Sequence, residues 1–185
     1  MRATELISEW LKQDEARCKA LECVQLLNLP QCYLAAGFVR NLVWDHLHGY
    51  SEPTPLNDLD VVYFDPDEDS PCPYLEYERR LAQLLPGHQW QVRNQALMHH
   101  RNGDAPYRST LDAMGYWPEK ETAVGVRLNS LGEYECIAAF GFESLFELEL
   151  TPNPKRPHSL FADRVNCKNW LEQWPKLQVL PALEV

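Results

Sequence analysis

The chain has 185 residues, 45% of them apolar, with six Trp, eight Tyr and six Phe, which suffices for one domain with a packed core and excludes a disordered chain. Its 27 acids outweigh 17 Lys and Arg for a formal charge of −10, which excludes nonspecific DNA or RNA binding but admits a small phosphorylated ligand held with metal ions. The six cysteines form no CxxC pair, the first residues are charged, and no apolar run nears the roughly 18 residues of a membrane span, which excludes paired-cysteine zinc sites, a signal peptide and a bilayer segment.

Between residues 4 and 27 the apolar positions, among them Leu6, Ile7, Trp10, Leu11, Leu21 and Val24, recur at helical spacing. They predict one or two amphipathic helices, stopped by Pro30. Residues 32–36 form a short apolar run that predicts a strand. Gly37 allows a tight turn, and 38–48 has the composition of a helix ended by Gly49. Residues 50–55 carry two prolines and read as a loop. The clearest strand is 58–64, with Leu59, Val61 and Tyr63 on one face and Asp58, Asp60 and Val62 on the other. The acidic loop PDEDSPCP leads into a helix over 74–85, and 89–95 reads as a further strand. From 93 to 107 the chain is polar, rich in His and Arg, and turns at Asn102-Gly103. Residues 122–128 alternate as a strand, with 134–138 a candidate pairing partner. A last short helix ends over 169–174, before a proline-punctuated tail. This alternation predicts a mixed α/β (α+β) protein, a single domain over 1–185. Its parts are N-terminal helices (4–27), a core (32–128) and a C-terminal extension (129–185). The cysteines read as small buried hydrophobes of a reducing compartment, the cytoplasm.

Asp58 and Asp60 point to the same strand face, about 7 Å apart. Like charges so placed repel, and burying them unpaired is costly. Mg²⁺ takes oxygen ligands and keeps open positions for phosphate oxygens, so a metal would cancel the pair. The preceding glycine and helix start supply close backbone approach and first-turn amides that favour negative charge.

Gly37-Phe38-Val39-Arg40-Asn41 followed by Asp58-Leu59-Asp60 resembles the signature of the DNA polymerase beta-like nucleotidyltransferase superfamily. It is nearest to the G-G-x-V-R-D and D-x-D motifs of the poly(A) polymerase and CCA-adding head domain. VRNQALMHHRNGDAPYRSTLDAMGYWPE and NDLDVVYFD are similar to a bacterial branch, the nucleotidyltransferase family 6 domain, over roughly residues 34–117. The resemblance implies a mixed central sheet flanked by helices. It also implies Mg²⁺-dependent transfer of NMP from an NTP to a hydroxyl, with room for a two-metal site. The acceptor is left open by it, and the acidic surface, not the resemblance, favours a small molecule or a protein over a long nucleic acid. In it Gly37 would lie against the triphosphate, Arg40 and Asn41 would contact phosphate or sugar, and Asp58 and Asp60 would bind the metals. Arg40 would join the two aspartates in catalysis.

The chain departs from the pattern in three places. Ala36 replaces the first glycine, Asn41 replaces the aspartate, and strand 89–95 has no acid where many members carry a third carboxylate. Asp104, Asp112 and Glu121 are candidates from elsewhere, and spacing selects none of them. Arg93, His99, His100, Arg101 and Arg108 form either a phosphate-facing wall opposite the aspartates or a solvated loop. The histidine spacings do not suit a transition metal. Asp45 reads as a surface or ion-pair residue, and Trp44, Trp90 and Trp117 as core. Two further readings stay open: a catalytically inactive nucleotide- or protein-binding module, and an interaction protein whose aspartates are satisfied by Arg40 or Arg93.

Overall fold

A computed structural model describes residues 2–69 and 72–181. Residues 70–71 of the acidic loop and 182–185 of the tail lie outside the described residues. Two helices, α1 (Ala3–Lys12) and α2 (Glu15–Gln25), lead into β1 (Tyr33–Ala35), α3 (Gly37–His48) and β2 (Asp58–Tyr63). Next come α4 (Pro73–Leu84), β3 (Gln89–Asn94), α5 (Gln95–Asn102) and α6 (Thr110–Met114). The remainder comprises β4 (Val124–Leu128), β5 (Tyr134–Ala138), α7 (Glu143–Phe146), β6 (Glu149–Leu150), α8 (His158–Cys167), α9 (Trp170–Gln173) and β7 (Gln178–Val179). Five strands form one sheet in the order β3-β2-β1-β4-β5, parallel only between β2 and β3. No helix among the described residues is long and apolar enough to cross a membrane.

The alternation in β2 explains its place in the sheet. Leu59, Val61 and Tyr63 are fully buried, and they pack in one core with Ile7, Leu11, Leu34, Val43, Trp44, Leu81, Val92 and Val126. Burying a large aliphatic side chain is worth roughly 1.5–3 kcal/mol, so this register is fixed by its apolar face. The opposite face is thereby obliged to present Asp58 and Asp60. Ala35 pairs with Asp60 in the register, so the turn after β1 delivers the start of α3 beside the aspartates. Gly49, in left-handed geometry at φ +73°, ends α3.

Four expectations change. The polar stretch after Arg93 is helical, with Asn94 capping the Ala96 amide and Gly103 closing α5. Its buried face is small: Ala96 joins Phe64, Tyr107 and Ala113 in a second cluster. The C-terminal extension holds more than one short helix, since α7 and α8 precede α9. Asp45 is neither on the surface nor ion-paired: it is buried and accepts from Thr54 N (2.8 Å), Thr54 Oγ1 (3.0 Å) and Trp174 Nε1 (2.8 Å). Of the cysteines only Cys32 is buried, whereas Cys72, which caps α4, and Cys167, the last residue of α8, sit at helix ends and are exposed. Trp44 and Trp90 are buried as expected, and Trp117 is half-buried.

Candidate functional site

A pocket of about 240 Å³ opens where α3 begins, against the polar face of β2. Gly37, Arg40 and Asn41 line it from α3, Asn57, Asp58 and Asp60 from β2 and its approach, and Thr122 from the segment before β4. The far wall is Arg164, Lys168, Trp170 and Gln173, from α8 and α9. A Cβ placed on Gly37 would make ordinary contact with Asn41 Nδ2 at 3.4 Å and Arg40 Nη2 at 3.5 Å, two side-chain ends that themselves line the pocket.

Arg40 is 7% exposed. Its Nη1 donates to Thr122 Oγ1 (2.7 Å), while Nε and Nη2 reach Asn41 Oδ1 at 3.3 and 3.2 Å. Its guanidinium lies 4.9 Å from the Trp44 ring centroid and 4.6 Å from that of Trp170, in the corner formed by two indoles that meet edge to face. Among the described residues it closes no ion pair, neither with Asp45 nor with the aspartates of β2. Burial pushes the guanidinium down to about 10, against the opposing pull of Glu119, Asp60 and Glu121. A buried cation without a carboxylate partner is primed for an anion.

Asp58 and Asp60 likewise stand free: among the described residues neither accepts a hydrogen bond or closes an ion pair. Burial raises the Asp60 carboxyl above its usual range, Asp58 adds to that, and Arg40, Lys168 and Arg93 oppose it. No group of three His, Cys, Asp or Glu side chains converges among the described residues. Mg²⁺ is commonly held by one or two carboxylates plus substrate phosphates and water, so two unpartnered carboxylates in an open pocket fit it.

The other predicted residues lie elsewhere. Arg93 donates to Glu78 at 2.7 Å, stacks 5.1 Å from Tyr74, and lines a separate cavity with Tyr63, though its charge reaches Asp60. Asp104 is held by Arg156 and Tyr107, and exposed Arg108 sits 3.7 Å from Asp112. Asp112 accepts from the Arg108 amide, and buried Glu121 accepts from the amide and hydroxyl of Thr151. Of the two readings left open for 93–108, the phosphate-facing wall is not met at this pocket, which none of Arg93, His99, His100, Arg101 and Arg108 lines, since α5 and α6 pack on their own small core. Arg164 and Lys168 stand there instead. Their signal in the sequence was two cations at i and i+4 followed by Trp170, in a chain otherwise short of cations.

A family model described as Nucleotidyltransferase matches residues 22–179. No curated protein matches the chain. Among solved structures it is similar to an NMR structure described as revealing a CCA-adding enzyme head domain, at 32% identity and TM-score 0.85, with 98% of each chain covered. It shares its fold with a CCA-adding enzyme in complex with CTP (16% identity, TM-score 0.57) and with the Thermotoga maritima CCA-adding enzyme complexed with tRNA-CCA (16%, 0.59). Against these two, 98% of this chain is covered but only 44% and 43% of theirs.

Proposed function

Because this chain belongs to the nucleotidyltransferase family, we propose that it transfers NMP from an NTP to a hydroxyl acceptor with Mg²⁺, pyrophosphate leaving. The observation that carries this reading is the facing pair of unpartnered charges, Asp58 and Asp60 on β2 and Arg40 on α3, around one pocket. Asp58 and Asp60 would hold the metal; when bound, Mg²⁺ supplies charge neutralisation at phosphate oxygens and acidifies an attacking hydroxyl.

The protein's own groups do the rest. Gly37 and the first-turn amides of α3 receive the triphosphate, as helix N-termini favour anions. Arg40 stabilises the charge gathering on the leaving phosphates, and its two indole neighbours and Thr122 fix it before substrate arrives. Asn41 orients phosphate or sugar from the same helical turn. The acceptor we favour is a small molecule or a protein, because a surface of net charge −10 opposes a long polyanion. The free cysteines suit a cytoplasmic setting.

One observation favours a second reading, an inactive binding module: Asp104, Asp112 and Glu121 are each engaged outside the pocket, which leaves no third carboxylate among the described residues to deprotonate an acceptor. Thermal unfolding with Mg²⁺ and each NTP separates the cases. A nucleotide at 100 times its Kd adds roughly 2.7 kcal/mol. That stabilisation should require Mg²⁺ and vanish in Asp58→Ala/Asp60→Ala; an unchanged shift in the double variant sinks the assignment. Pyrophosphate release with an acceptor then marks turnover, and binding without release marks the module.

A further inference from the structure

Both cations on the far wall come from one helical face. Arg164 lies in α8 and Lys168 is its C-cap residue, four positions on, a spacing that stacks side chains on the same side of a helix. Arg164 is oriented from behind: its Nε and Nη2 donate to the two oxygens of Glu119, which is fully buried. That fork consumes one edge of the guanidinium, and Nη1 keeps its donors free among the described residues. Lys168 is exposed, and among the described residues its ammonium has no ion pair or hydrogen bond, yet its charge is felt at Asp60. Asn169 then takes a left-handed turn (φ +54°), and Trp170 follows with its ring against both Arg40 and, at 5.8 Å, Arg164.

Resting on the reading of this pocket as a nucleotide site, we propose that Arg164 and Lys168 form a second clamp on the polyphosphate tail of the NTP, facing Asp58 and Asp60, with Glu119 as the residue that positions Arg164. The chemistry selects a polyphosphate. The Nη1 donors of Arg164 that Glu119 leaves unused suit a phosphate oxygen, a lysine adds a mobile point charge, and three cations gather in one pocket of a strongly acidic chain. A neutral sugar or base would leave Arg40 and Lys168 without an anionic partner among the described residues.

The test is calorimetric binding of Mg²⁺-ATP and of Mg²⁺-tripolyphosphate, which lacks base and sugar, to the full chain and to Arg164→Gln, Arg164→Lys, Lys168→Gln and Glu119→Gln. Charged hydrogen bonds are worth about 1.5–3 kcal/mol, so each Gln variant at a clamp cation should lose roughly ten- to hundredfold in affinity for both ligands alike. Arg164→Lys and Glu119→Gln should lose less than Arg164→Gln, because charge survives and only the directed Nη1 donors or their aim are lost. Wild type binding both ligands, with Lys168→Gln and Arg164→Gln binding equally well, overturns the clamp and leaves the nucleotide reading intact. If Arg164 and Glu119 serve only as a structural ion pair, their variants will melt earlier with unaltered affinity, which also overturns it. Wild type binding neither ligand removes the nucleotide reading and the clamp together. Lys168 is on the surface, so its variant tests the clamp even if the Arg164 and Glu119 variants fail to fold.

Discussion

Ala36 holds φ +56° and ψ −123°, a conformation native to glycine, at the turn that aims α3 into the pocket. The amide of Ala36 bonds to Val124 O and its carbonyl accepts from the Arg40 amide, so the backbone is held there from both sides. Strain of this kind costs about 2 kcal/mol. Ala36→Gly would relieve it, lose a buried methyl worth about 0.8 kcal/mol, and add unfolded-chain entropy of about 0.7 kcal/mol. The balance is a gain of about 0.5 kcal/mol, read as a higher urea midpoint at unchanged slope; a lower midpoint means that the turn carries no strain. The residues legible in the sequence, Gly37, Arg40, Asn41, Asp58 and Asp60, are those whose grouping is local: one helical turn and one strand face. Asp45 was misread because its donors, Thr54 and Trp174, are brought to it by a loop and by the far end of the chain.

The elements followed the same logic. β2, β3 and α3 have broad apolar faces and were found within a residue or two, whereas α8 buries only Phe161 and α5 only Gln95, Ala96 and His99, too few positions to show a period. Helices like these form because the rest of the fold holds them. α9 and the segment after it are strapped to the C-terminal half of α3: Tyr50 Oη donates to Gln173 O, Lys176 N to His48 Nε2 at 3.0 Å, and Trp174 Nε1 to Asp45. Asp45→Ala leaves three donors buried without an acceptor, for a loss of about 3 kcal/mol. Because one of those donors, Trp174 Nε1, anchors the strap, protease should cut the variant between 157 and 175 sooner than elsewhere. Cleavage spread evenly along the chain would show that Asp45 does not hold this segment.

Across the whole molecule, the Asp104–Arg156 pair ties the loop after α5 to the segment before α8, with Arg156 Nη1 donating to Asp104 Oδ1 at 3.0 Å. The Arg156 guanidinium holds the Asp104 carboxyl below its usual range. A depressed carboxyl stabilises the fold above its unfolded value of about 3.9 and loses that contribution as pH falls through the folded value. Asp104→Asn should therefore be less stable than wild type at pH 6, with the gap shrinking below about pH 4; a constant gap in urea midpoints across that range would rule the linkage out. The layout of the pocket also sets an order of events in synthesis. α3 and β2 precede α8 by about a hundred residues, and at roughly 5–20 residues per second that gap lasts about 5–20 s. On the ribosome the aspartates therefore emerge before Arg164 and Lys168 exist to face them, and on the proposed clamp a nascent chain would be a poor trap for nucleotide until α8 is made.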